Sequence, residues 1–268
     1  MATSMGIPTI TNTITITGTG TGTGMGMTGT AMTESLSLSA LYRLQTFLSP
    51  AFPVGAFTYS HGLEQAVDRG DVTSAAELIP WLEDVLRFGA GRSDAILLKE
   101  SLRAASGGDA EALAELRALG LALQPSKERH LETSAQGTAF AGAIARSWLP
   151  GRSTRAADLC REILAADDDP WPYPVAVGLA CAAHDIPGDA ALIAWLHAFS
   201  ANIVSAAMRT VPLGQTESQT VLARIEPVIF DVAEEAAASG LDDLGTSTFL
   251  ADIASMAHET QYSRLFRS

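Results

Sequence analysis

Leu192-Ile-Ala-Trp195-Leu196-His-Ala-Phe199-Ser-Ala-Asn-Ile203 is the stretch that decides the fold. Its large apolar residues recur at i, i+3, i+4, i+7 and i+11, which lines one face of an α-helix and does not suit a strand. Stripes of the same period flank it. Upstream are Leu78, Leu82, Val85 and Gly89, then Leu97, Leu98 and Leu102, then Leu113, Leu116 and Leu119. Downstream are Val221, Leu222 and Ile225, then Phe249, Leu250, Ile253 and Met256. Breakers such as Gly107–Gly108, Pro150–Gly151 and Pro187–Gly188 separate the stripes. No strand-rich stretch follows Thr33. About ten helices joined by short loops predict an all-α, bundle-like domain over 39–268, with no linker dividing it.

Local signals refine the helix ends. Ser74 with Glu77, and Thr216 with Gln219, have capping-box spacing. Pro80 places a first helical turn near itself. Pro227 is expected to kink or split its helix. The turn at Pro50 and Pro53 predicts a helix beginning near Thr58, with Tyr59, Leu63 and Ala66 on one face and His61, Glu64 and Asp68 on another.

Residues 1–38 read as a separate, low-complexity unit. Met1 to Thr33 carries no charge and little besides Thr, Gly, Ile and Met. Such a segment buries too little apolar surface to offset its ordering entropy, so a disordered extension is expected. A strand over Thr9 to Thr17, where Ile alternates with Thr or Asn, is the rival reading. Gly24, Gly26 and Gly29 formally spell G-x-G-x-x-G. A dinucleotide site would also need a βαβ unit and a later acidic residue, and neither follows, so the match is a chance product of the repeat.

The 268 residues include 17 basic and 30 acidic side chains, a net charge of −13. That balance argues against nucleic acid, which requires a basic face. Two lysines, Lys99 and Lys127, make no polybasic membrane patch. No apolar run near 18 residues is read as a membrane span, and no cationic, apolar leader opens the chain. A soluble, cytoplasmic protein is expected. Charged residues are only 18% of the chain, which points to apolar surface covered by a partner.

The search for chemistry yields no catalytic residue, no cofactor and no metal site. His258-Glu259 opens a zinc-protease pattern, but Tyr262 stands where the second His belongs. Cys160 and Cys181 sit among small apolar residues and read as core thiols. Asp167-Asp-Asp169 reads as a solvated loop. Polar detail concentrates instead in four blocks. Ser49 to Glu64 holds Tyr59, His61 and Glu64. Arg129, Glu132, Thr133, Gln136 and Gly137 share one helical pattern, with Arg129 and Glu132 spaced for local helix support. Arg209 to Thr216 joins two helices, Arg209 closing one and Thr216 capping the next. Met256 to Ser268 ends in Tyr262, Arg264, Phe266 and Arg267, residue types enriched at binding hot spots. A tail of this kind, with no fold to finish, is expected to dock on another protein.

Together these blocks, with Tyr173-Pro-Val-Ala-Val-Gly-Leu, resemble the urease accessory protein UreF family from about Leu41 to Ser268. The Thr/Gly-rich segment lies outside the resemblance. The resemblance implies an all-α, dimeric protein that is not an enzyme. It implies assembly with UreD (also called UreH) and the GTPase UreG on apo-urease, promoting nickel delivery. It makes Glu64 and Arg209, then Tyr59, His61 and Gln215, candidates for the UreG-facing or dimer-associated surface. It makes Tyr262, Arg264, Phe266 and Arg267 candidates for a UreD-docking tail, with His258 and Glu259 as further partner-binding candidates. The alternative is a nickel-binding metallochaperone, in which His258 and the scattered His and Cys residues would carry the metal.

Overall fold

The computed structural model describes residues 36–166 and 169–268. The expected disordered extension, the rival strand over 9–17 and most of the Asp167–Asp169 loop lie outside them. Among the described residues the chain forms eleven α-helices, two 3₁₀ turns and no strand, so the all-α expectation holds. In order they are α1 (Leu38–Phe47), a 3₁₀ turn (Ala56–Thr58), α2 (Leu63–Asp68), α3 (Ala75–Phe88), α4 (Ala90–Gly107) and α5 (Ala110–Ala122). Then come α6 (Lys127–Ser147), α7 (Arg155–Ala166), α8 (Tyr173–Ala183), α9 (Gly188–Thr210), α10 (Gln215–Ala238), a second 3₁₀ turn (Leu241–Asp243) and α11 (Phe249–His258).

Helix α8 forms the centre. Every residue from Pro174 to Ala183 is buried, and α4, α6 and α7 pack around it. Small residues make this possible: a Cβ on Gly178 would sit 2.4 Å from the Leu98 carbonyl oxygen. The deciding stripe lies inside α9, with Leu192, Trp195, Leu196, Phe199 and Ile203 all buried against one hydrophobic core. By length and hydropathy α9 does pass for a membrane span, contrary to the expectation that no run would. More than half of its apolar window is buried within the fold, which accounts for that composition.

Several helix ends differ from their sequence signals. Helix α3 starts at Ala75 and runs through Pro80, so the first turn lies a turn earlier than that proline suggested. Ser74 is its N-cap residue, but Glu77 reaches past it to the Thr73 N–H at 2.7 Å. Helix α10 starts at Gln215, ahead of Thr216. Its cap is Gly214, whose N–H donates to Glu217 at 3.0 Å. Glutamate three residues into the helix therefore outcompetes Gln219 as the reciprocal partner. Pro227 does not split α10.

Helix α6 crosses the segment that leads into α8 at very short range. Thr138 Oγ1 accepts from the Trp171 N–H and Thr133 Oγ1 from the Tyr173 N–H, both at 3.1 Å. Between them stands Gly137, where a Cβ would lie 1.9 Å from the Trp171 carbonyl oxygen. Gly137→Ala must force backbone apart, and overpacking of this kind costs about 1–3 kcal/mol. The variant is expected to unfold at lower urea concentration than the wild type with an unchanged slope.

Candidate functional site

The site is assembled where the turn before α2, the first half of α6, α11 and the chain end meet. His61 and Gly62 adopt successive left-handed conformations, φ +57° and +78°. Only a fold that gains elsewhere holds a histidine there. A side chain at Gly62 would meet the Ser255 backbone nitrogen at 2.8 Å, so this turn lets α2 lie directly on α11. Helix α2 thus begins at Leu63 and not near Thr58. Tyr59, Leu63 and Ala66 are each buried, but Tyr59 precedes the helix in extended backbone, so the three do not share a helical face as expected.

Glu64 is a buried hub. Its Oε1 accepts from the Leu265 N–H at 2.7 Å, and its Oε2 from the Phe266 N–H at 3.0 Å and His258 Nε2 at 3.0 Å. The other nitrogen of fully buried His258 faces Glu128 Oε2 at 2.6 Å. Glu128 Oε1 accepts from Arg264 at 2.7 Å. A closed circuit, Glu64–His258–Glu128–Arg264, returns to the tail it started from.

Glu132, one turn along α6, is the second hub. Its oxygens accept from Arg129 Nη1 at 2.5 Å, His61 Nε2 at 3.0 Å, Gln136 Nε2 at 3.1 Å and Ser268 Oγ at 2.9 Å. Burial alone would raise its carboxyl; the Arg129 guanidinium, with His61 and Ser268, outweighs it and holds the group down at about 2. Burial and Arg129 also push His61 below its usual range. A neutral His61 fits its contacts, accepting from Arg129 through Nδ1 and donating Nε2–H to Glu132. Asp94 of α4 approaches Arg129 only to 4.0 Å, and burial pushes its carboxyl up to about 7. Ser268 ties the second hub to the turn before α2: its main-chain oxygen accepts from the Ser60 N–H at 2.7 Å and from the Ser60 hydroxyl.

The tail therefore finishes its own fold, which corrects the expectation that it has none to finish. Phe266 and Ser268 are buried, and the Arg267 N–H donates to the Thr58 carbonyl at 2.8 Å. Arg209 stacks its guanidinium on the Phe266 ring at 4.1 Å and donates to the Phe57 carbonyl at 2.6 Å. Tyr262 and Leu265 point outward, and the Arg264 and Arg267 side chains are exposed. On α11 before them an apolar stripe also faces water: Phe249 and Leu250 are 71% and 72% exposed and Ile253 and Met256 about half exposed. Glu259 Oε1 accepts from the Lys127 N–H at 2.9 Å.

Of the residues singled out in sequence, His61, Glu64, Arg209, His258, Arg264 and Phe266 converge here, with Tyr59 packed behind. Gln215 lies outside the network, exposed at the start of α10. Asp94, Glu128, Ser60 and Ser268 were missed, and the Arg129–Glu132 pair is a buried junction, not mere local support. A signal for α6 was present: between Lys127 and Ala139 its one large apolar residue is Leu131, which faces solvent. A helix with that composition and a buried position must turn polar groups inward. Among the described residues no group of three or more His, Cys, Asp or Glu side chains is arranged to hold a metal ion. Cys160 and Cys181 are buried, and burial pushes both thiols up to about 12.

Residues 72–226 match the family model for UreF. The chain is 52% identical over 230 residues to the urease accessory protein UreF of a Rhodopseudomonas palustris strain, covering 86% of this chain and 94% of that one. It is 47% identical to the protein of the same name from Bradyrhizobium diazoefficiens, covering 86% and 92%. The chain belongs to the UreF family. It is thus a urease accessory protein, and the convergent network lies partly outside the matched family region. Glu64, His258 and the tail flank residues 72–226, while Asp94, Glu128 and Glu132 fall within them.

Proposed function

We propose that this urease accessory chain works as a binding adaptor with no catalytic step of its own. It joins UreD (UreH) and the GTPase UreG on apo-urease in the cytoplasm, acts as a homodimer, and modulates GTP-dependent nickel insertion. The observation that carries this reading is the outer face of α11 with the tail beside it. Phe249, Leu250, Ile253 and Met256 leave an apolar stripe of α11 in water, and Tyr262 and Leu265 stand exposed in the tail that follows it. Patches of this kind mark interaction surfaces. Buried carboxylates meanwhile pin the backbone behind the stripe, so the surface is presented in a set shape and little ordering cost remains for binding.

In this reading UreD covers the α11–tail face. Arg209 and Glu64 serve the UreG-facing side, joined to the first through Phe266. A partner that shifts Phe266 also shifts the guanidinium stacked upon it, which gives a physical link between the two surfaces. Differential affinity for the nucleotide states of UreG then tunes assembly, and by reciprocity assembly tunes the nucleotide.

Leu250→Asp with Ile253→Asp tests the surface. Both residues are exposed, so the melting midpoint should stay within about 4 °C of wild type, each surface change costing about 0.5 kcal/mol or less. Co-purification with UreD should be lost, and cells carrying the variant in place of the native gene should lack active urease. Retained UreD binding with a dissociated homodimer would assign the stripe to a second copy instead. Tight stoichiometric nickel binding to the purified chain in equilibrium dialysis would favour the metallochaperone reading.

A further inference from the structure

A second feature is not used by the docking surface. Between α4, α6, α8 and α9 lies a cavity of about 200 Å³ that opens near Ser49, Pro50 and Phe57. Tyr173, Trp195 and Phe199 wall it, with the Tyr173 and Trp195 rings 4.9 Å apart at 62°. Asp94 also lines it. This carboxyl is only 6% exposed, and among the described residues it forms no hydrogen bond. Among those residues the cation paired with it is Arg129, 4.0 Å away and already engaged by Glu132 at 2.5 Å.

Buried polar groups are normally hydrogen-bonded, and one that is not calls for an explanation. Burial raises the Asp94 carboxyl to about 7, so its ionised form carries a charge that the cavity itself leaves poorly balanced. The remaining titratable groups do not provide it. Arg129 and Glu132 neutralise each other, His61 is kept neutral by burial, and His197 lies exposed on the lining. Aromatic rings and a carboxylate lining one cavity are the chemistry that recognises ammonium groups, through ring quadrupoles and one counter-ion.

We propose that this cavity binds a small organic cation of the alkylammonium class, with Asp94 as its counter-ion and Tyr173, Trp195 and Phe199 as its aromatic walls. The cation replaces the proton on Asp94 and lies against the rings. Glu132, already accepting four hydrogen bonds, stays with Arg129 and takes no part in binding.

Isothermal titration of the full-length chain with n-butylammonium chloride tests the assignment, and 1-pentanol is the neutral probe of similar shape. Saturable one-to-one binding of the ammonium is expected, with the alcohol at least roughly ten-fold weaker. Asp94→Asn should weaken the ammonium to the level of the alcohol while the helical circular dichroism is unchanged. Equal affinity for the two probes overturns the proposal without recourse to any variant. So does full affinity in Asp94→Asn, and so does absence of saturable binding in the wild type.

Discussion

Glu64→Ala will destabilise the folded chain by about 3–5 kcal/mol, the cost of removing one partner from a buried charged network. Its carboxylate accepts from two tail amides and from His258. Alanine leaves all three donors without this acceptor, the Phe266 N–H and His258 in buried surroundings. At about 2–4 °C per kcal/mol for a domain of this size, the melting midpoint should fall by roughly 6–20 °C. The second readout is local. With its two amides released, the stretch from Arg264 to Ser268 should detach before the rest unfolds, and trypsin should cut after Arg264 and Arg267 far faster than in the wild type. Glu64→Gln keeps one carbonyl acceptor and should lie between the two. An alanine variant with the wild-type midpoint and slow cleavage would show that the tail is held by something other than this carboxylate.

Asp94→Asn will do the opposite at alkaline pH, raising stability by up to about 4 kcal/mol near pH 8 and by almost nothing near pH 3. The carboxyl is at its ordinary 3.8 in the unfolded chain and at about 7 in the fold. Between those values the unfolded chain has released a proton that the folded chain retains. Folded stability is therefore fully present below 3.8 and is lost as pH rises through about 7. An amide has no such proton and escapes the loss. Glu132 contributes with the other sign: at 4.5 unfolded and about 2 folded, its contribution is present above 4.5 and lost as pH falls toward 2. It is common to both proteins, so the difference between their urea-unfolding free energies isolates Asp94. A difference that does not grow with pH would contradict the assignment.

Periodicity made most of the fold legible. The α9 stripe is read correctly because nothing but a helix brings residues 192, 195, 196, 199 and 203 to one side. The same rule identifies α11 but not its orientation: a repeat defines a face, and only packing decides whether core or water meets it. Phe249, Leu250, Ile253 and Met256 form as good a stripe as α9 has, yet face outward. The turn at His61 was hidden for a different reason. A histidine at φ +57° is sustained by its contacts with Arg129 and Glu132 from another helix, and no local propensity announces that.

The candidate site was legible only in pieces. Glu64, Arg209, His258, Arg264 and Phe266 stood out one at a time, and their neighbours in space lie far along the chain. Glu132 read as local helix support for Arg129, and Glu128 carried no signal of its own, because charge on a helix ordinarily means solvent. Asp94, between Ser93 and a run of apolar residues, offered no pattern at all.

The manner in which Glu64 grips the tail sets an evolutionary freedom. It binds peptide N–H groups, which every amino acid except proline supplies. Anchorage is thereby uncoupled from spelling: position 265 can drift to suit a changing partner without loosening the hold, and proline there or at position 266 is the replacement that selection should be seen to forbid.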